Sequence, residues 1–219
     1  MKITVVDYGL SNLLSVRRAI TSLGYEVEVT GDAATVRQAS VLVLPGVGAF
    51  RDGMKGLDSL GLTPVIRGKT AEGTPLLGIC LGMQMLFSQS EEFGVYEGLG
   101  LIPGSVVRIP DTTTEDRLQR VPQVGWNGLL PPEAGASAFS SPLLAATRPG
   151  EEVYFVHSYE AKPENPQNCL ANVLYGGREV CAVAGLGRVL GTQFHPEKSG
   201  RVGLAILQQY LQWATALSL

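Results

Sequence analysis

Cys80 lies within Gly78-Ile79-Cys80-Leu81-Gly82, between an apolar run at residues 76–79 and a Met-, Leu- and Gln-containing stretch at residues 81–87. The first reads as a buried strand and the second as a helix, so the cysteine falls where a strand turns sharply into a helix. That is the form of a nucleophile elbow, whose reactive side chain sits at a strained tip while glycines two positions away on either side keep the turn uncrowded. A helix N-terminus there favours a thiolate over a thiol and offers backbone N–H groups, notably that of Leu81, to a developing oxyanion. The competing account is a small buried hydrophobe, as most free cysteines are, and the flanking glycines argue against it. Cys169 and Cys181 lie inside strand-like runs without such a turn, and for them the structural account holds.

A thiolate that attacks an amide needs a group to manage the proton and the leaving ammonia. The chain has two histidines. His195 is followed by Pro196 and Glu197; in an extended segment residues two apart face the same side, so Glu197 can orient the His195 ring while the proline discourages helix. His157 has Glu160 three residues on, but it lies in Tyr154-Phe155-Val156-His157-Ser158-Tyr159, where strand alternation accounts for it as a satisfied core histidine. A third element is the turn Pro45-Gly46-Val47-Gly48-Ala49-Phe50 at the end of another predicted strand. Its glycines let a backbone N–H rotate toward a bound carbonyl oxygen, supplementing Leu81. No G-x-x-x-x-G-K-[ST] occurs, so a phosphate-loop role fails on residue types.

These residues need elements to position them. Through the N-terminal half, short β-branched runs (residues 3–6, 25–30, 41–44 and 76–79) alternate with amphipathic stretches, the pattern of βαβ units around a parallel sheet. Asn12 is placed to cap a helix with Leu13, Val16, Ile20 and Leu23 at helical spacing, and Gly24 to end it. The run at residues 41–44 is halted by Pro45. In an open α/β sheet the ends of such strands converge on one crevice. Beyond residue 100 the segments 105–109, 153–159, 170–175, 179–184 and 189–194 read as short strands of hairpins appended to the sheet. Residues 111–120 read as a polar mobile loop and residues 131–142 as an irregular connection. Residues 200–217 form an amphipathic helix with Val202, Ile206, Tyr210, Trp213 and Leu217 on one side.

Composition bounds the possibilities. A chain of 219 residues, 45% hydrophobic, can bury one sizeable core, and no repeat or linker calls for a second domain. A net charge of -3 with 17% charged residues provides no basic field for nucleic acid or an anionic membrane. No CxxC pair occurs among the three cysteines, so neither a metal site nor a cofactor is expected, and a reducing cytoplasmic setting is the simpler one. Residues 1–7 are strand-like without an export signal, and no run approaches the roughly 18 apolar residues of a membrane span.

The three chemical pieces, in this order, resemble the class I (triad) glutamine amidotransferases over nearly the whole chain, and within them the glutaminase subunits of imidazole glycerol phosphate synthases of histidine biosynthesis. The segments that carry the resemblance are Asp7-Tyr8-Gly9 with Asn12, residues 44–50 and 77–84, Ser90-Glu91-Glu92, Gly125-Trp126-Asn127, residues 154–159 and residues 193–198. The resemblance implies a flavodoxin-like α/β fold in one amidotransferase domain, a mostly parallel sheet flanked by helices with antiparallel hairpins in the C-terminal half. It implies Cys80 as nucleophile, His195 as proton shuttle and Glu197 as its orienting carboxylate, with Val47 and Leu81 supplying oxyanion amides. Gly48, Gln84, Glu92, Ser158 and Tyr159 would help hold L-glutamine. The implied partner is a (β/α)8-barrel cyclase subunit that receives ammonia and converts a phosphoribulosyl-formimino-carboxamide ribonucleotide into imidazole glycerol phosphate and an aminoimidazole carboxamide ribotide. Asn12, Trp126, Tyr154 and Lys198 match positions at that junction.

Ser11 and Gln123-Val124 depart from the family pattern near the partner, and residues 111–120 form a long segment. Rival accounts are another glutaminase of the superfamily, such as that of pyridoxal phosphate synthase or anthranilate synthase, a cysteine hydrolase of peptides or small amides, and a non-catalytic binding module on the same scaffold. The Pro45–Phe50 turn and Gly125-Trp126-Asn127 argue against the first.

Overall fold

Ile3 and Val5 point to one side of the first strand and Thr4 and Val6 to the other, and all four are buried. A strand buried on both faces needs a cover on each, and that requirement organises the N-terminal half. The computed structural model describes residues 2–132, 139 and 141–217. It runs β1 (Lys2–Val6), α1 (Leu13–Ser22), β2 (Glu26–Thr30), α2 (Ala33–Arg37), β3 (Leu42–Gly46), α3 (Phe50–Ser59), α4 (Leu62–Ala71), β4 (Leu76–Cys80) and α5 (Leu81–Met85). There follow β5 (Phe87–Ser90), β6 (Tyr96–Glu97), β7 (Ile102–Arg108), β8 (Gln123–Gly128), β9 (Glu152–His157), β10 (Tyr159–Pro163), β11 (Cys169–Tyr175), β12 (Arg178–Leu186), β13 (Val189–Thr192) and α6 (Gly200–Ala216).

The main sheet has the order β11-β12-β13-β4-β3-β1-β2. Its five strands from β13 to β2 are mutually parallel, while β11 and β12 add an antiparallel hairpin at one edge. On one face Ile3, Val5, Val43 and Ile79 pack with Val16 and Ile20 of α1 and Leu207 and Tyr210 of α6. On the other, Leu42, Leu44 and Leu76 meet Phe50 and Leu57 of α3 and Leu62 and Ile66 of α4. Strands β10, β7, β5 and β6 form a second sheet and β8 and β9 a third. Among the described residues, no helix is long and apolar enough to cross a membrane.

The α/β architecture expected from the sequence is present, with several local differences. Pro45 does not halt its strand: β3 continues to Gly46, with Pro45 beside Ile79. The ladder to β1 reaches only to Val43, so the missing proline N–H leaves no bond unmade on that side. The helix after Cys80 stops at Met85 instead of residue 87, because Phe87 pairs with Ile102 and β5 begins there. The strand expected at residues 153–159 is divided at Ser158 into β9 and β10, which pair with different partners. Residues 111–120 are not a loose loop, since Gln119 N–H donates to Asp111, Thr114 N–H donates to the Gly176 carbonyl, and Arg178 donates to the carbonyls of Thr112 and Thr113. Much of the irregular connection expected at 131–142 (residues 133–138 and 140) lies outside the described residues.

Candidate active site

Cys80 closes β4 and begins α5 with φ 54° and ψ −111°, a backbone conformation that non-glycine residues rarely adopt. The chain can make this turn because of its neighbours. A Cβ on Gly82 would stand 1.7 Å from the Leu44 carbonyl oxygen, and one on Gly78 would stand 2.7 Å from the Gly82 backbone. Helix α5 has only 5 residues, so its dipole is small, and what it offers an oxyanion is local: the Leu81 N–H, which has no intrahelical acceptor at that first position.

Strand β13 lies parallel to β4 with Thr192 opposite Ile79, and this brings the segment after β13 alongside the elbow. His195 Nδ1 lies 2.8 Å from Glu197 Oε1, and both side chains are almost fully buried. The expected contact is made by a different backbone, because Pro196–Lys198 is a 3-10 turn capped by His195 and the expected extended segment ends at Thr192. With Nδ1 turned to the carboxylate, the other ring nitrogen is left for the cysteine. Burial opposes charge on this ring, yet hydrogen bonds to Cys80 and Glu197 outweigh it and push the imidazole up to about 9. Ser199, whose role the sequence did not signal, fixes the turn: its hydroxyl donates to the His195 carbonyl at 2.6 Å and accepts from Tyr154 N–H at 2.9 Å.

A cavity of about 300 Å3 opens over the sulfur, lined by Cys80, Leu81, His195, Val47 and Gly48 and by Gln84, Glu92, Ser158 and Tyr159. Every substrate-binding and oxyanion residue expected from the sequence therefore faces one space, of the size of a small-molecule site. Their local duties differ. Glu92 accepts from Phe50 N–H at 2.6 Å at the start of α3, tying the turn after β3 to the loop after β5. Gly46 stands beside Cys80 across the ladder. Val47 departs from its expected role in one respect: its N–H donates to the Leu10 carbonyl at 2.9 Å and is not free to bind an oxyanion in this conformation.

His157 also lines the cavity and is not a satisfied core residue. Its Nδ1 is 2.8 Å from the Tyr159 carbonyl, its Nε2 has no partner among the described residues, and burial, helped by the nearby His195, pulls it down to about 4. Glu160 pairs with Lys162 instead of His157.

Of the expected interface positions, Trp126 and Tyr154 are cross-strand partners on β8 and β9, their rings 6.0 Å apart edge to face. Trp126 is 51% exposed beside Val124 at 58% and Val156 at 37%, so this small sheet presents an apolar face at the rim of the cavity. Asn12 caps α1, accepting from Ser15 N–H, and Lys198 is exposed at the end of the turn that carries His195. Tyr154 is joined to that turn as well, since its carbonyl accepts from His195 N–H at 3.1 Å. Two of the departures fall in the same neighbourhood: Gln123 is opposite His157 in the β8–β9 ladder, and Val124 belongs to the exposed patch.

A thiol at an elbow, backed by an imidazole and a carboxylate above a small polar-ended cavity, is equipment for acyl transfer through sulfur. The chain belongs to the class-I glutamine amidotransferases, whose family model matches residues 4–212. Within that family it is of the HisH type. It is 46% identical over 210 residues to imidazole glycerol phosphate synthase subunit HisH 1 of Legionella pneumophila (strain Lens), covering 96% of this chain and 98% of that one. It is 49% identical over 209 residues to subunit HisH of Geobacillus thermodenitrificans (strain NG80-2), covering 95% and 94%. A solved structure described as PurLQS from Thermotoga maritima superposes with a TM-score of 0.72 at 18% identity, covering 97% of this chain and 98% of that one, a likeness of fold. The amidotransferase assignment drawn from the sequence motifs thus holds, and the relatives are named as subunits of a larger enzyme.

Proposed function

We propose that this chain hydrolyses L-glutamine through Cys80, His195 and Glu197 and passes the ammonia to a (β/α)8-barrel cyclase subunit, which makes imidazole glycerol phosphate and aminoimidazole carboxamide ribotide; the lyase chemistry would belong to that partner. The observation that carries the proposal is the junction of Cys80 and the His195–Glu197 pair beneath a cavity lined by all the candidate substrate residues. The Cys80 thiolate attacks the δ-carbonyl and forms a C–S bond. His195 gives its proton to the departing nitrogen, and the C–N bond breaks to release ammonia. Water, deprotonated by the same imidazole, then attacks the γ-glutamyl thioester and frees glutamate and the thiolate. Glu197 holds the ring with one nitrogen toward sulfur and stabilises the imidazolium.

Gln84, Glu92, Ser158, Tyr159 and Gly48 hold the amino-acid end of glutamine, Glu92 offering a carboxylate to the α-ammonium. Leu81 N–H receives the oxyanion. Val47 N–H would join it only after leaving Leu10, so basal turnover is weak and rises when the liganded cyclase docks against Asn12, Trp126, Tyr154 and Lys198. The apolar β8–β9 face and the Tyr154–His195 hydrogen bond support this coupling. A cytoplasmic setting belongs to the same account, with Cys80, Cys169 and Cys181 all free thiols. A glutaminase assay with and without cyclase and its nucleotide tests it: turnover should rise at least tenfold with the liganded partner, and equal turnover in both cases contradicts the coupling.

A further inference from the structure

Gln193 is completely buried, and its side-chain nitrogen lies 3.8 Å from Cys80 Sγ, within reach of a hydrogen bond to sulfur. Its orientation follows from a chain of contacts that begins at a group with only one possible role. The Tyr159 carbonyl can only accept, and the side chain of Gln84 approaches it at 3.0 Å, so the Gln84 atom there is the NH2 nitrogen. That same nitrogen is 3.0 Å from the Gln193 amide, which must present its oxygen to it. The nitrogen of Gln193 is thereby turned to the sulfur as a donor. The Tyr159 carbonyl also takes a bond from His157 Nδ1, so one backbone oxygen fixes both the amide relay and the protonation pattern of the second histidine.

We infer that Gln193 is a positioning residue for the reacting sulfur: held by Gln84, which is itself anchored to the Tyr159 carbonyl, it donates N–H to the Cys80 thiolate. The inference rests on the proposed role of Cys80 as nucleophile. A donor to a charged sulfur stabilises the thiolate relative to the thiol and fixes the direction of its remaining lone pairs. A glutamine suits the position better than a second cation would, because it aids the thiolate without setting a like charge beside the imidazolium, and because its other end can be locked by Gln84. Residue 193 lies just beyond β13, whose register against β4 carries it to the elbow.

The test is iodoacetamide labelling of the full-length protein across a range of pH, read peptide by peptide for Cys80, Cys169 and Cys181. In Gln193→Met the Cys80 labelling profile is expected to move to higher pH, with labelling at neutral pH about tenfold slower than in the parent. Gln84→Met, which leaves the Gln193 amide free to turn over, should move the profile in the same direction by less. A purely structural role would leave the midpoint in place and instead speed labelling of the buried Cys181. Should Gln193→Met fail to fold, Gln84→Met carries the same comparison. Profiles that superimpose on the parent, in a protein whose Cys80→Ala variant lacks glutaminase turnover with the liganded cyclase, overturn the role of Gln193 alone. Full turnover by Cys80→Ala overturns the nucleophile, and this inference with it.

Discussion

His195 Nδ1 and Glu197 Oε1 lie 2.8 Å apart, with relative side-chain exposures of 3% and 1%, so the imidazole is locked to a carboxylate that water barely reaches. The pair fixes which ring nitrogen faces Cys80. Replacing Glu197 by Gln keeps the shape and removes the charge that stabilises the imidazolium, so kcat for glutamine hydrolysis in the liganded complex should fall by about 10²–10⁴-fold while KM stays within a few-fold. Steady-state kinetics check this, and a loss confined to KM would assign Glu197 to substrate binding.

Ser199 holds the same turn from behind, bridging the His195 carbonyl and the Tyr154 N–H. Ser199→Ala removes both bonds without touching the cavity. The expected result is a drop of about tenfold in kcat, with stability lowered by about 1–2 kcal/mol in urea unfolding.

The elbow makes a steric prediction. A methyl on Gly82 would collide with the Leu44 carbonyl, which belongs to a central strand and cannot withdraw. Gly82→Ala should therefore cost about 3 kcal/mol or more of stability, seen as a lowered melting temperature by circular dichroism, whereas Gly68→Ala, inside α4 and with no described atom within 4 Å of the added Cβ, should melt slightly above the parent, by the roughly 1 kcal/mol that alanine gains over glycine in a helix.

His157 sets a pH dependence. Unfolded, its ring binds a proton below its ordinary value of 6.5; folded, burial delays this until about 4. The unfolded chain therefore binds more protons in that window, and the stabilisation present above pH 6.5 is lost as pH falls to 4, amounting to about 3 kcal/mol. The stability difference between parent and His157→Gln, from denaturant unfolding at each pH, should change by that amount between those limits. A difference constant with pH would show that His157 ionises normally in the folded protein.

Much of the site was legible because its determinants are local. Gly78 and Gly82 announce a crowded turn, and the His195-Pro196-Glu197 spacing announces a contact that two quite different backbones, extended or 3-10, can both make. The fold class was legible for the same reason, since runs such as residues 41–44 and 76–79 are buried on both faces. What escaped depends on partners distant in sequence. Phe87 left its helix because Ile102 offered a strand, the Val47 N–H is committed to Leu10, and Gln193 meets Gln84 across 109 positions. No periodicity or propensity signals those pairings.

In the proposed reaction the γ-glutamyl group left after ammonia departs is carried as a thioester on Cys80. Acid quenching of the complex with the liganded cyclase during turnover, followed by mass spectrometry of the digested chain, tests it most directly. A γ-glutamyl adduct is expected on the Cys80 peptide and none in Cys80→Ala, which should also have lost about 10³-fold or more in glutaminase rate. An adduct on another residue, or undiminished turnover by Cys80→Ala, would contradict it.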